Sequence, residues 1–296
     1  MTPKYNPLFI VGLQKSGTTL LNRLLLKLPD VFQSPFELEG RYFWGDHPPF
    51  TPVGKPCGAL YQKKLGLSGH ALNSKDFSVS DQQNLLSKLN DKTIQAPILI
   101  NKNPYNSVRI SWLKKMFPNC RIIAIVRHPA SNVFSLLKKH IPHEHRGLGP
   151  ENGWWGVKPH DWQKINQSNT LTKVSRQYQS VNNCLLSHIS KVDLLISYNQ
   201  LCDNPSNVIT MAAKLFDIDV KPNIEPITCR DFEYKFGSRL LSMNREYSTN
   251  SESLEINEKE NPVELKKLSY FERCLIWSNT HKTWRDCKLQ LSKLTE

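Results

Sequence analysis

The chain repeats one alternation, in which a short apolar run is followed by a segment with helical periodicity. The runs are rich in isoleucine, valine and leucine, a composition typical of strands that are buried on both faces. The four runs are Leu8–Val11, Ile98–Ile100, Ile122–Val126 and Leu194–Ser197. The helical segments that follow them are Thr18–Leu28, Val108–Phe117, Ala130–Lys139 and Ser206–Phe216. This order predicts an α/β fold, a three-layer sandwich in which helices flank both faces of a parallel sheet.

Two stretches, residues 36–69 and 141–161, do not fit the alternation. Both are rich in glycine and aromatic residues. Loops of this length in a compact fold usually form lids or the walls of a substrate site. A longer helix is predicted from about Asn169 to Ile189, and Asn261-Pro262 is a typical helix start. No shift in composition marks a boundary, so we expect a single domain over residues 1–296 with loop and helical insertions.

The charge balance is basic, with 39 lysines and arginines against 26 acidic residues and a formal net charge of +13. Such a surface attracts anions, among them nucleic acid, anionic lipid and phosphate-bearing small molecules. The basic pairs are dispersed along the chain, which argues against a nucleic-acid partner. A hydrophobic fraction of 39% excludes a disordered or fibrous chain.

The cysteines and the apolar segments indicate the compartment. Seven widely spaced cysteines without a C-x-x-C pair resemble neither a disulfide framework nor a zinc site. No apolar run approaches the roughly 18 residues of a spanning helix. The apolar stretch near the N-terminus is interrupted by Gln14 and Lys15 and lacks a signal-peptide cleavage site. We therefore expect a cytoplasmic protein without a membrane span.

The most informative segment reads Gly-Leu-Gln-Lys-Ser-Gly-Thr-Thr and lies between the first apolar run and a leucine-striped helix. Its glycines, Gly12 and Gly17, permit a tight loop whose backbone N–H groups converge on an anion, and the helix N-terminus adds a favourable dipole. The segment predicts a phosphate-binding loop. Its candidate binding residues are Gln14, Lys15, Ser16, Gly17, Thr18 and Thr19.

The same loop departs from the Walker pattern of ATP- and GTP-binding proteins. That pattern places a lysine where this chain has Thr18. Lys15, inside the loop, suits one phosphate and one bridging oxygen better than a triphosphate with magnesium. A small-molecule kinase of the P-loop type and a non-catalytic anion- or nucleotide-binding protein are the alternative hypotheses.

The loop resembles the 5′-phosphosulfate loop, K/R-S-G-T-T, of the sulfotransferases that use 3′-phosphoadenosine-5′-phosphosulfate (PAPS). A second signature of that family, an arginine at a strand end with a serine eight positions later, is matched by Arg127 and Ser135. The resemblance implies that this pair holds the 3′-phosphate of PAPS. Lys102-Asn103-Pro104 and the segment from Tyr198 to Pro205 extend the resemblance toward the tyrosylprotein and bacterial branches. It covers roughly residues 6–216.

The resemblance implies an enzyme that moves a sulfuryl group from PAPS to a hydroxyl or amine by in-line displacement. Positioning and charge stabilisation then carry most of the catalysis. Lys15 is expected at the bridging oxygen that leaves. Lys102 either faces the sulfuryl oxygens or is solvated at its strand end. No metal is expected, because a sulfuryl group carries less charge than a phosphoryl group.

The acceptor's proton requires a general base. The tyrosylprotein and carbohydrate branches use a glutamate after the first helix, and Glu37 lies in that region. Glu39 is the alternative base, and one of His140, His143 and His145 is the next possibility. These histidines have a spacing that could bind metal, but no regular secondary structure is predicted beneath them.

The acceptor is a small molecule, a carbohydrate or a peptide, and no motif chooses among them. Aromatic residues of the two irregular stretches are either packing residues or walls of an acceptor pocket. They are Phe43, Trp44, Trp154, Trp155 and Trp162. The oligomeric state is not encoded in any motif.

Overall fold

The computed structural model describes residues 6–28, 30–33, 69–89, 97–140, 150, 152–220, 222–226, 232–233, 241–242 and 268–293. Most of the first irregular stretch, residues 141–149 of the second, and the proposed helix start at Asn261-Pro262 lie outside these residues.

A five-stranded parallel sheet forms the centre of the molecule, in the order β2-β3-β1-β4-β5. Its strands are β1 (Asn6–Val11), β2 (Val31–Gln33), β3 (Ile98–Lys102), β4 (Arg121–Val126) and β5 (Leu194–Ser197). Four of them are the apolar runs of the sequence, and the predicted parallel sheet is confirmed. The fifth, β2, is an edge strand of three residues that pairs with β3. A separate antiparallel pair joins β6 (Phe232–Glu233) and β7 (Leu241–Ser242).

The helix starts predicted at Thr18, Val108, Ala130, Asn169 and Ser206 each lie within two residues of an observed helix start. The described residues contain nine helices. They are α1 (Thr18–Leu25), α2 (Val79–Leu89), α3 (Ile110–Met116), α4 (Pro129–Leu137), α5 (Trp162–Asn166), α6 (Thr170–Ser187), α7 (Tyr198–Asp203), α8 (Pro205–Lys214) and α9 (Tyr270–Lys293). Short 3₁₀ turns cover Ser74–Asp76, Pro104–Val108, Lys138–His140 and Ile189–Lys191. The helix expected from Val108 therefore begins two residues later, because the 3₁₀ turn after β3 occupies the preceding residues.

The sheet is buried on both faces, as the apolar runs predict. On one face the alternate residues Leu8 and Ile10 of β1 pack with the leucines of α1 and with Val208 and Ile209 of α8. On the other face Phe9 and Val11 pack with residues of α2 and α3 and with Leu185 of α6. Since successive strand residues point to opposite faces, this division produces the three layers.

A third apolar cluster lies among α4, α6 and α9. Val133 of α4, Tyr178 of α6 and Ile276 of α9 are buried together in it. Thr283 Oγ1 of α9 also donates to Asn183 Oδ1 of α6 over 2.8 Å. The helix near the C-terminus therefore packs on the same body as the sheet.

Candidate functional site

Four strands deliver their following segments to the same edge of the sheet, because the carboxyl ends of parallel strands all meet there. The central strand β1 ends at Val11 and leads into the loop of residues 12–17 and then into α1. Its two neighbours, β3 and β4, end at Lys102 and Val126. The loop thus lies between the segments that carry Lys102 and Arg127.

The backbone of the loop has the shape that an anion-binding turn requires. Lys15 has a φ of 69° and Gly17 a φ of 104°, both in the left-handed region. A Cβ atom on Gly12 would lie 2.5 Å from the carbonyl oxygen of Ile125, so a side chain does not fit where the loop passes β4. Left-handed residues next to right-handed ones turn successive N–H groups toward one point.

Two carbonyl oxygens of the loop accept hydrogen bonds from side chains outside it. Asn132 Nδ2 donates to Gln14 O over 2.9 Å, and Arg127 Nη1 donates to Lys15 O over 2.9 Å. Both donors come from the segment after β4. These contacts turn the carbonyl oxygens, which would repel an anion, toward donors of the protein.

The N-terminus of the following helix, α1, favours a bound negative charge. Gly17 is the N-cap of α1 and supplies no side-chain cap, and the first turn carries no acidic residue. The first N–H groups of a helix have no partner within the helix and carry partial positive charge. An anion bound by the loop would take the place of the missing cap.

A buried hydroxyl group in the loop supports the same interpretation. Ser16 is 1% exposed, and its Oγ has no hydrogen-bond partner among the residues that the structure describes. A buried hydroxyl without a partner costs free energy, roughly 1–3 kcal/mol. A phosphate oxygen in the loop would supply the missing partner, so the residues present fit a bound phosphate group.

Arg127 lies under the loop and is held on two sides. Its guanidinium carbon lies 4.3 Å from the ring centre of Tyr198, and its backbone oxygen accepts from Tyr178 Oη over 2.9 Å. The strand ends there because Pro129, two residues later, occupies the first turn of α4, a position that favours proline. Ser135 follows on α4 and is partly buried.

Tyr198 reaches this place through a helix start that the sequence encodes. Ser197 Oγ accepts from Gln200 N, and Gln200 Oε1 accepts from Ser197 N, which is a capping box directly after β5. A Cβ atom on Gly17 would lie 2.6 Å from Cδ2 of the Tyr198 ring. The ring therefore packs between Gly17 and Arg127.

Lys102 is buried, with 2% of its surface exposed, so the alternative of a solvated strand-end lysine is wrong. It pairs in register with Ile10, two residues before Gly12. Its buried neighbours Asn101 and Asn103 are engaged by the following 3₁₀ turn, through Asn106 Nδ2 and the backbone N–H of Tyr105. Ser107 of that turn accepts from Gly12 N over 2.7 Å, which ties the turn to the loop.

The tryptophans of the second irregular stretch divide into two kinds. Trp154 is 2% exposed, donates from Nε1 to Val157 O over 3.0 Å and meets the ring of Trp162 edge to face. It is a packing residue. Trp155 is half-buried, and Lys139 Nζ lies 5.5 Å from its ring centre. Its backbone contacts the phosphate loop through Gln14.

Two buried residues near this edge of the sheet belong to none of the sequence motifs described above. Asn132, which holds Gln14 O, is an ordinary amide on a helix, and nothing in the sequence distinguishes it. His70 is buried, accepts at Nδ1 from Lys158 N over 2.8 Å and lies 3.8 Å, ring centre to ring centre, from Tyr105. Burial, with the charge of Lys158, lowers the pKa of His70 to about 3.

Several predicted residues lie outside the described part of the chain. These are the candidate bases Glu37 and Glu39, the histidines His143 and His145, and the aromatic residues Phe43 and Trp44. His140 is described, and burial together with Lys173 lowers its pKa. Within the described residues, no group of three or more histidine, cysteine or acidic side chains is placed to hold a metal ion. None of the described helices is both long and apolar enough to cross a membrane.

The fold and the loop define an α/β protein that presents a turn with anion-binding geometry at the carboxyl edge of its sheet. The chain belongs to the sulfotransferase family, whose model matches residues 7–222. Human protein-tyrosine sulfotransferase 1 is 25% identical to it over 134 residues, which are 45% of this chain and 34% of the human protein. The mouse protein of the same name gives the same figures. The matched part spans about a third of these curated relatives.

Two solved sulfotransferases align with about three quarters of this chain at low sequence identity. The sulfotransferase from Alicyclobacillus acidocaldarius has a TM-score of 0.44 and 17% identity, with coverage of 75% of this chain and 85% of that chain. The sulfotransferase domain of the Synechococcus PCC 7002 olefin synthase has a TM-score of 0.41 and 19% identity, with coverage of 73% and 75%.

Proposed function

We propose that this protein transfers a sulfuryl group from PAPS to a hydroxyl or amine of an acceptor by in-line displacement. The observation that carries the proposal is the contact between Arg127 Nη1 and Lys15 O, 2.9 Å long. It joins the two segments on which the resemblance to PAPS-dependent sulfotransferases rests, which are 112 residues apart in the chain. The family membership supports the reaction class.

In this proposal the loop holds the 5′-phosphate of the donor. The N–H groups at the start of α1 and the hydroxyl groups of Ser16, Thr18 and Thr19 donate to its oxygens. Lys15 is half-buried at the rim of the loop and neutralises the charge that develops on the bridging oxygen. PAPS supplies the activated sulfuryl group.

The buried ammonium group of Lys102 is assigned to the sulfuryl oxygens. A buried charge acts through a low effective dielectric constant, which strengthens its effect on developing charge. Arg127 and Ser135 are assigned to the 3′-phosphate, for which the planar guanidinium group offers paired donors. Glu37 is assigned as the base that takes the acceptor's proton, with Glu39 as its alternative. The transfer is proposed to need no metal, because the sulfuryl group carries little charge.

The acceptor class stays open among small molecules, carbohydrates and peptides. The name of the human relative adds a tyrosine side chain in a peptide to the acceptors that should be tested. We also propose that residues 1–296 form one domain. We likewise propose a cytoplasmic location, which is supported by the wide spacing of the seven cysteines without a C-x-x-C pair.

Calorimetric titration tests the donor assignment. Adenosine 3′,5′-bisphosphate should bind roughly ten- to a hundredfold more tightly than AMP, since one charge-assisted phosphate contact is worth on the order of 1.5–3 kcal/mol. Equal affinities would contradict the assignment of Arg127 and Ser135. Magnesium-ATP serves as the control, and its turnover to ADP would favour the kinase alternative.

The reaction itself is tested by incubation with PAPS and a panel of phenols, sugars, amines and tyrosine peptides. A product heavier than its acceptor by one sulfuryl group, found by mass spectrometry, is the expected result. Bisphosphate binding without any product across the panel would support the non-catalytic alternative.

A further inference from the structure

The side chain of Gln14 joins the phosphate loop to a distant segment. Its Nε2 donates to Trp155 O and its Oε1 accepts from Val157 N, each over 3.3 Å. The side chain thus pairs with the backbone of residues 155–157 as a neighbouring strand would. We refer to these two hydrogen bonds as the Gln14 bridge. Gln14 is 6% exposed, so water does not compete freely for its amide.

Gly156 lies between the two ends of the bridge and has a φ of 81°. A Cβ atom at this position would collide with the side-chain amide of Gln14. On the other side, Gln177 Nε2 of α6 donates to Trp155 O over 2.9 Å and to Val157 O over 2.8 Å. Two glutamine side chains therefore hold residues 155–157, and Gln14 cannot move outward without breaking the bridge.

The backbone of Gln14 leaves little freedom at the other end. Its carbonyl oxygen accepts from Asn132 Nδ2 over 2.9 Å. The next residue, Lys15, has the left-handed φ of 69°, and its carbonyl oxygen accepts from Arg127. A displacement of the Gln14 side chain that rotation about its own bonds does not absorb therefore passes to the Gln14–Lys15 peptide, which sets the direction of the Lys15 side chain.

We propose that Gln14 is a positioning residue, which fixes the conformation of Lys15 by anchoring the phosphate loop to residues 155–157. The segment 155–157 then controls donor binding although it lies 141 residues from Gln14. This inference rests on the proposed function, in which the loop binds the donor. It differs from direct donor contact, because the side chain of Gln14 is committed to the protein.

Gly153 and Gly156, three residues apart in the chain, provide a matched pair of variants. Gly153 has a φ of 71°, close to that of Gly156, so Gly153→Ala and Gly156→Ala carry a similar backbone penalty. A Cβ atom on Gly153, however, would meet only Lys173 Nζ at 3.4 Å and Asn166 Oδ1 at 3.8 Å. Only Gly156→Ala displaces Gln14.

Affinity for adenosine 3′,5′-bisphosphate is the first readout. Gly156→Ala should weaken it roughly 10- to 100-fold, the effect expected when a binding group is misplaced by about 1 Å. Gly153→Ala should stay within about threefold of the parent, although both variants lose thermal stability. Equal losses of affinity in the two variants would overturn the proposal.

A double-mutant cycle separates displacement of Gln14 from general damage. Gln14→Ala removes the amide with which the methyl group introduced by Gly156→Ala would collide. Adding Gly156→Ala to Gln14→Ala should therefore weaken binding much less than it does in the parent. Purely additive effects would contradict a role through Gln14.

Exchange rates of the backbone N–H groups, measured in the ligand-free protein, test the Gln14 bridge without relying on donor binding. Gln14→Ala should speed exchange of the Val157 N–H, and Gly156→Ala should speed exchange in residues 12–17. If the parent does not bind the bisphosphate, the proposed function fails while these exchange rates still decide the bridge. If the parent binds it but neither variant alters exchange in the opposite segment, the bridge does not couple the two segments and the inference is wrong.

Discussion

Lys15 combines a left-handed backbone with a position at the rim of the phosphate loop, so its side chain is directed by the turn itself. Lys15→Met keeps an unbranched side chain of similar length and removes the charge. Turnover with PAPS should fall by about 10²–10³, the usual effect of removing one preorganised electrostatic donor. The rate at saturating donor measures it.

The exposed Lys288 of α9 offers the control for this substitution. Lys288→Met changes the net charge equally and should leave turnover near the parent value. Turnover near the parent value in Lys15→Met would show that Lys15 does not act in the transfer reaction.

His70 gives the stability of the protein a pH dependence. Its pKa is lowered from 6.5 to about 3 in the folded state, first by burial and then by Lys158. Between these values the unfolded chain binds a proton at His70 that the folded chain does not, so the contribution of His70 lowers stability as the pH drops, by up to about 1.4 kcal/mol per pH unit. His70→Asn keeps an acceptor for Lys158 N and should reduce this slope in urea unfolding between pH 6.5 and 4. Equal slopes in parent and variant would contradict the assignment.

The site was predictable where the topology of a parallel sheet brings residues together. Lys15 and Arg127 follow buried strands, and the carboxyl ends of such strands share one edge, so their meeting follows from the sequence. The Gln14 bridge does not follow from the sequence, because it depends on the path of an irregular segment far along the chain. The neutral state of His70 and the burial of Lys102 could not be predicted either, because burial of a single polar side chain leaves no periodic signal in the sequence.

Among the elements, the four long strands and most helices were predictable because burial imposes a period on the sequence. The edge strand β2 has three residues and α7 has six, too few to complete a pattern. The start of α7 nevertheless has a local signal in the sequence, the capping box formed by Ser197 and Gln200. Helix ends were less well predicted, as with α1, which ends at Leu25 rather than Leu28.

The amino ends of β4 and β5 are joined through Asp193. Its carboxylate accepts from Lys114 Nζ over 2.9 Å, from Arg121 Nη1 over 3.2 Å and from the backbone N–H of Ile122 over 2.8 Å. Asp193→Asn keeps the shape and removes the charge, which should lower the free energy of unfolding by roughly 1–3 kcal/mol. Urea denaturation measures the loss.

Asp286 of α9 supplies the matched comparison, because its side chain is 41% exposed and pairs with Arg285, which is 72% exposed. Exposed pairs contribute about 0–1 kcal/mol. If Asp286→Asn lowered the free energy of unfolding as much as Asp193→Asn, the partly buried contacts of the Asp193 carboxylate would not stabilise the protein more than an exposed ion pair does.

The whole molecule extends beyond the part that the family model matches, which ends at residue 222. Ile276 of α9 is 2% exposed within the cluster shared with α4 and α6. Ile276→Ala should lower the free energy of unfolding by about 2–5 kcal/mol, through lost burial and the cavity left behind. Leu289→Ala, at a site 55% exposed on the same helix, should change it by less than about 0.5 kcal/mol.

The same packing bears on the expectation of one domain. If α9 and the sheet form one cooperative unit, calorimetry should give a single transition with equal calorimetric and van't Hoff enthalpies. Ile276→Ala should shift that transition as a whole. Two separable transitions, only one of them moved by the substitution, would divide the chain into two domains.

The packing of Tyr198 between Gly17 and Arg127 restricts how this chain can have diverged from its relatives. The ring occupies the space of a side chain at position 17 and lies 4.3 Å from the guanidinium carbon at position 127. A substitution accepted at one of these positions therefore alters which residues the other two tolerate. In a set of related sequences, positions 17, 127 and 198 should change together, with a smaller residue at 198 wherever 17 is not glycine.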